Sequence, residues 1–333
     1  MSELHSQILQ IYSKGGILSM VYKTFLNQVA SHIQALLGDR CSVHLEQVQK
    51  NSGLLLDGIC IETVGELIAP TIYLNSYYQT YQNGYSMEEI YDMILDVYRT
   101  RGNFSGLNPA LFQDFSNLED KIIFRLIHAQ SNQELLQAVP HIPYLDLAVV
   151  FCIYLTDEEN MQQMTAFVRN QHLKIWNLSL DCLAACAERN TPHLLPASIR
   201  SLTQVMNELS GEDSVLSQSS SLFPDPEENI QEFPLYILTN QKSIFGAACM
   251  RYPEILKNFA DSQNADILIL PSSIHEVLLT IDNPTADYEL LSRMVCEINQ
   301  SEVPVEDRLS NQIYRYCRMD GSLSIVSHCP ESV

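Results

Sequence analysis

Basic residues are scarce in this chain: 19 Lys and Arg stand against 40 Asp and Glu, a formal charge of −21 over 333 residues. Negative charge in such excess repels phosphate backbones and anionic bilayer surfaces, so neither nucleic acid nor membrane is expected as a partner. Charged residues of both signs reach only 18%, while hydrophobic residues make up 46%. That balance excludes a disordered chain and is enough for a substantial core. Runs of about 18 apolar residues are also missing, which argues against a membrane helix. The opening MSELHSQILQIYSK has no basic start followed by an apolar stretch, so no signal peptide is expected. The nine cysteines form no C-x-x-C pair; Cys182 and Cys186, the nearest, are one helical turn apart. Reduced thiols in a cytoplasmic protein are the expectation.

Several catalytic signatures are absent too. Neither G-x-G-x-x-G nor G-x-x-x-x-G-K-[ST] occurs, which removes the two commonest phosphate cradles. His275-Glu276 is not the start of an H-E-x-x-H zinc motif, because Leu279 stands where the second histidine would be. The remaining histidines show no ligand spacing along the chain, so no metal and no cofactor are expected.

What is present reads as an α+β chain of largely antiparallel sheet with packed helices. The region 1–103 holds a helix over Ile17–Leu37, closed by Gly38, and a hairpin of Cys41–Gln49 with Leu54–Thr63 around Lys50-Asn51-Ser52-Gly53. A tyrosine-rich stretch follows, in which Tyr73, Tyr77 and Tyr81 are spaced for one helical face. Ser86 and Glu89 then make a capping box for a helix carrying Ile90, Ile94 and Leu95.

The region 104–333 is the main α+β domain. Leu118–Gln130 is read as a helix and Ser131-x-x-Glu134 as a second capping box. The apolar run Leu145–Leu155 is read as a central strand buried on both faces, with Met164–Val168 beside it. Helical turns follow over His172–Trp176 and Ser179–Glu188, ended by Asn190-Thr191-Pro192, and Pro196–Leu209 is helix-prone. A flexible acidic linker occupies 210–232. The segment 234–281 is read as strand, helix and hairpin, the turn falling at Pro271-Ser272-Ser273. Asp287–Asn299 is an amphipathic helix with Leu291, Met294, Val295 and Ile298 inward, and Asp320-Gly321 turns a last hairpin. Leu145–Leu155, Leu235–Leu238 and the runs about Pro271 are expected to share one sheet.

Three groups of side chains invite a function. Ser273, His275 and Glu276 follow the Pro271 turn, and Cys249 sits in a small-residue stretch near a possible helix start, where a thiol pKa falls. Together they suggest a hydrolase-like cleft, although Ser273 and His275 at strand spacing would point in parallel and the serine lacks a G-x-S-x-G elbow. Packing and turn roles account for the same residues. His172 and the single tryptophan, Trp176, share a helical face that a small ligand could rest on, or that simply anchors packing. Tyr77 and Tyr81 present large rings with polar tips, suited to a partner surface or to the rim of a core.

The strings DKIIFRLIHAQSNQELLQAVPHIPYLDLAVVF, HLKIWNLS with AERNTPHLLP, and GAACMRYPEILKNFA with ILPSSIHEVLL resemble a bacterial domain-of-unknown-function family, family 5688, of anaerobic gut bacteria. The resemblance runs roughly from Cys41 to Ile325. It implies no known activity and no catalytic residue, gives His128 no essential role, and marks 210–232 as a variable insertion. The favoured reading is a non-enzymatic protein-interaction or regulatory module, with another protein as partner and Tyr77 and Tyr81 on the contact face. A hydrolase at Ser273/His275 and a small-ligand sensor around Trp176 are the alternatives.

Overall fold

The computed structural model describes residues 22–63, 71–101, 110–157, 162–205 and 234–327. The acidic linker expected at 210–232, the residues before Tyr22 and residues 102–109 lie outside the described residues. The chain forms two compact units, Met1–Lys50 with Leu55–Phe112, and Asn51–Leu54 with Gln113–Val333. Each packs helices on antiparallel sheet, so the chain is an α+β protein.

The first unit contains α1 (Tyr22–Leu37), β1 (Cys41–Gln49), β2 (Leu55–Thr63), β3 (Thr71–Tyr73), α2 (Asn75–Gln82) and α3 (Met87–Arg101). The expected hairpin forms, with Cys41 opposite Thr63 and Gln49 opposite Leu55, and β2 is the middle strand. Side chains alternate across a strand, so Val43, Leu45, Ile59, Ile61 and Ile72 all face one way. They meet Phe25, Val29, Ile33, Ile90 and Ile94 from the helices. The capping box at α3 is made as read: Glu89 N–H donates to Ser86 Oγ (3.3 Å), and Ser86 N–H donates to Glu89 Oε2 (2.8 Å).

The tyrosines divide differently from their spacing. Tyr73 ends β3, while Tyr77, Tyr78 and Tyr81 lie half-buried on α2 against the core. Tyr78 and Tyr81 tilt against Phe25 at 5.2 and 5.8 Å between ring centres. Tyr81→Ala is therefore expected to lower the stability of this unit by about 1–3 kcal/mol, the worth of a partly buried aromatic. Denaturant titration followed by far-UV circular dichroism reads it; a variant of unchanged midpoint would return Tyr81 to the surface.

The second unit has two sheets. One holds β4 (Ile122–His128), β5 (His141–Tyr144), β6 (Leu147–Asp157) and β7 (Gln162–Phe167), with β6 central, β4 along one side, and β5 and β7 sharing the other. The other comprises β8 (Ala197–Ser201), β9 (Tyr236–Asn240), β10 (Ile267–Pro271), β11 (Val277–Ile281), β12 (Tyr314–Tyr316) and β13 (Leu323–Ile325), in the order β13-β12-β10-β11-β9-β8. Its helices are α4 (Gln133–Ala138), α5 (Asn170–Trp176), α6 (Leu180–Leu194), α7 (Ile255–Gln263) and α8 (Tyr288–Ser301). The run expected as a central strand is β6, and the strand–helix–hairpin at 234–281 is present. The single sheet is not: β6 belongs to one sheet and β9, β10 and β11 to the other.

Four further expectations change. The helix read over Leu118–Gln130 is strand β4, whose first six residues are all buried. A run buried on both faces carries no period, and its Ile and Phe content favours a strand. Asn190-Thr191-Pro192 does not end α6, which continues to Leu194. Instead Asn190 Nδ2 donates to the carbonyls of Glu119 (2.6 Å) and Ile122 (3.1 Å), and Thr191 Oγ1 accepts Phe124 N–H (3.0 Å). These bonds cover the outer edge of β4, which would otherwise expose unpaired backbone. Ala197–Ser201 is a strand because it pairs with β9, overriding weak local preference. In α8 the buried residues are Ser292, Val295 and Asn299, while Met294 and Ile298 are exposed. Ser292 Oγ donates to Asn311 C=O (2.8 Å), so a polar residue is held inward on this face by a hydrogen bond.

Candidate functional site

The β10–β11 turn uses the groups that looked reactive for its own construction. Ser273 Oγ accepts the N–H of His275 (3.0 Å), and Ser272 Oγ donates to Glu276 C=O (3.4 Å). The His275 ring itself bonds other partners. Its Nδ1 accepts Phe245 N–H (3.2 Å), which places the neutral ring's proton on Nε2, 3.2 Å from Asp307 Oδ1. With both nitrogens engaged, His275 is no base for Ser273. A Cβ on Gly246 would collide with the His275 carbonyl, so only glycine lets the two segments close. Cys249 is fully buried and donates to Thr239 C=O (3.2 Å); burial pushes its thiol up to about 12. It is a neutral donor, not the activated nucleophile that its sequence position suggests.

What His275 does is hold Phe245. The two rings stack at 5.9 Å, and Phe245 also meets a buried guanidinium: Arg125, 8% exposed, lies 4.5 Å from the ring centres of both Phe245 and Phe167. Asn240 fixes this loop by accepting Lys242 N–H (3.0 Å) and donating to Ile244 C=O (2.6 Å). Arg125 Nε has no hydrogen-bond partner among the described residues. Burial lowers its pKa.

Trp176 and His172 do share a face of α5, at 5.2 Å between rings, but Phe115 packs against Trp176 at 5.5 Å. Arg169 N–H donates to His172 Nδ1 (3.1 Å), so the imidazole caps the helix. Burial and then the Arg169 charge lower its pKa. The Trp176 face is thus occupied by the protein's own side chains.

A cleft of about 250 Å³ opens elsewhere in the second unit. His128 comes to it from the end of β4, Ser131 from the turn before α4, Asp146 from the β5–β6 turn, Asn299 from α8, and Arg308 to Gln312 from the segment before β12. Ser131 Oγ bonds His128 Nδ1 at 2.6 Å and is not the expected cap of α4, whose N-cap position belongs to Asn132. Asp146 accepts from Ser310 Oγ (2.6 Å) and Tyr314 Oη (2.7 Å). Burial, followed by the Asp146 charge, holds Tyr314 well above the ordinary phenol value, so it stays a donor. Arg308 donates from Nε to Val303 C=O (3.1 Å) and from its terminal nitrogen to Gln300 C=O (3.1 Å). Among the described residues neither Asp146 nor Arg308 has an oppositely charged side-chain partner. Asn299, 2% exposed, spends its NH₂ on Ser310 C=O and Asn311 Oδ1 (both 3.0 Å) and on Pro271 C=O (3.4 Å), and its Oδ1 has no partner among the described residues.

The walls are tied by a pair of buried amides. Asn132 Nδ2 donates to Asn51 Oδ1 (3.0 Å) and His128 C=O (2.7 Å), and Asn132 Oδ1 accepts Ser52 N–H (2.9 Å). Asn51 Nδ2 donates to the carbonyls of Glu306 (2.8 Å) and Arg308 (3.1 Å). Sequence reading missed this site, and it gave His128 no role. The only local trace is a density of Ser, Asn and Gln over Ser310–Gln312 and Asn299–Gln300, which resembles ordinary turn chemistry.

Fold and site together define an α+β protein with a small polar cleft in its larger unit. The chain belongs to a family of unknown function (DUF5688), whose model matches residues 22–318. No curated protein and no solved structure matches it. No helix among the described residues is long and apolar enough to cross a membrane.

Proposed function

We propose that this protein works by binding, and that the cleft takes a small polar molecule carrying both an acidic and a basic group, of the size of an amino acid. One observation carries the reading: the Arg308 guanidinium and the Asp146 carboxylate line the same cleft without salt-bridge partners among the described residues. Each is held by neutral hydrogen bonds, which fix its direction and leave its charge uncompensated. The unused Asn299 oxygen adds an acceptor. The volume of about 250 Å³ falls just below the range of pockets for drug-sized ligands, about 300–1,000 Å³, which suits a smaller occupant. This favours a small-ligand sensor, at a different place from the Trp176 face, over a protein partner at Tyr77 and Tyr81, whose rings serve the core of the first unit.

Thermal-shift and calorimetric screening with amino acids and other small zwitterions tests it, since a ligand for the folded state raises the melting temperature. Arg308→Met and Asp146→Asn are each expected to weaken binding by about 30-fold or more, the scale of losing one partner of a desolvated charge pair. Binding that survives both variants, or none across the panel, would remove the proposal.

A hydrolytic reading keeps one specific support, the short Ser131–His128 hydrogen bond at the cleft wall. Ester turnover lost on Ser131→Ala would establish it in place of simple binding.

A further inference from the structure

Period-two placement brings together, on the first unit's sheet, residues that are unremarkable along the chain. β1 carries His44 and Glu46, and β2 carries Cys60 and Glu62. The register sets His44 opposite Cys60, and Glu46 opposite Gly58, so all four side chains project from the face away from the apolar set of Val43, Leu45, Ile59 and Ile61. The ligand atoms of His44, Glu46 and Cys60 lie within 4.8 Å of one another, and His44 Nε2 is 4.0 Å from Glu62 Oε1.

The carboxylate of Glu46 is held from two strands away. Thr71 of β3 donates its hydroxyl to Glu46 Oε1, reaching across the middle strand β2. It can do so because the strand position between them is Gly58: a Cβ there would collide with the Thr71 methyl. An outer hydrogen bond that orients a carboxylate toward a histidine and a thiol is the arrangement that sets ligand direction in metal sites. Cys60 is buried.

We propose that His44, Glu46 and Cys60 bind a divalent transition-metal ion, with Zn²⁺ the best match. One nitrogen, one sulfur and one oxygen make a borderline donor set, unlike the all-oxygen shells of Ca²⁺ and Mg²⁺. In a tetrahedral site with bonds of about 2.0–2.3 Å the donor atoms sit roughly 3.5 Å apart, so the cluster must close by on the order of 1 Å. Side-chain rotation supplies that. His44 and Glu62 are solvent-accessible, which leaves the fourth position to Glu62 or water. The site lies in the first unit, so its failure would leave the cleft reading untouched.

Titration of the reduced, metal-free full chain with Co²⁺, followed by Zn²⁺ competition, tests the proposal. The expected result is a near-ultraviolet thiolate-to-cobalt absorption saturating at one ion per chain and abolished by Zn²⁺. Cys60→Ser should remove the absorption, and Thr71→Val should weaken affinity about 10–100-fold while keeping it. His44→Ala, at an exposed position that tolerates truncation, should weaken binding at least tenfold even if Cys60→Ser does not fold. Absence of the absorption, its survival in Cys60→Ser, or full affinity in His44→Ala would each overturn the site.

Discussion

Asn132→Ala is expected to lower the stability of the second unit by about 3 kcal/mol or more. The side chain is 1% exposed and joins three partners that the alanine leaves behind: Asn51 Oδ1, the His128 carbonyl and the Ser52 N–H. A buried polar group deprived of its partner costs about 1–3 kcal/mol, and water entering from the neighbouring cleft recovers part of that. The loss spreads, because Asn51 in turn holds the carbonyls of Glu306 and Arg308. Ligand binding in the cleft should fall with stability. The single tryptophan, Trp176, belongs to this unit, so its fluorescence reports the transition during urea titration. A loss below about 1 kcal/mol would mean that the amide pair does not support the walls.

Arg125→Met is expected to act in the opposite direction, raising stability by about 1–4 kcal/mol. A buried charge that lacks a hydrogen-bonded counter-charge carries an effective desolvation penalty of several kcal/mol, and replacing buried ionic groups by apolar ones of similar volume commonly stabilises by that amount. Against the penalty stand two ring contacts at 4.5 Å, each worth about 2 kcal/mol or more when desolvated. Asp307 contributes attraction at longer range, but burial is the largest influence on the group. Methionine keeps the volume between Phe167 and Phe245 and gains sulfur–aromatic contact. A variant destabilised by more than about 1 kcal/mol would show that the two rings outweigh desolvation, and that the loop Asn240–Phe245 is built around the charge.

Both effects concern polar groups inside the fold, and these were the hardest to read. The apolar run Ile122–His128 contains an arginine, and it suits a helix as well as a strand by spacing alone. In α8 the buried stripe includes Ser292 and Asn299, so the most apolar face is not the inward one. Asn190-Thr191-Pro192 has the composition of a helix end, yet Asn190 and Thr191 serve as docking groups for β4. In each case a hydrogen bond to a distant segment reverses what local chemistry suggests.

Local rules were sufficient wherever one element or one tight turn decides the outcome. The hairpin turn at Lys50–Gly53, the capping box of Ser86 and Glu89, the β10–β11 turn and the long apolar strand β6 were all legible, because backbone preference, side-chain period and turn chemistry act within a few residues. Tertiary structure alone decided which strands share a sheet, and how Asn51 and Asn132 bring segments as distant as Ser52 and Arg308 to one cleft. Those outcomes depend on pairing register and on satisfying buried polar groups across long loops, and the linear order of residues names neither partner.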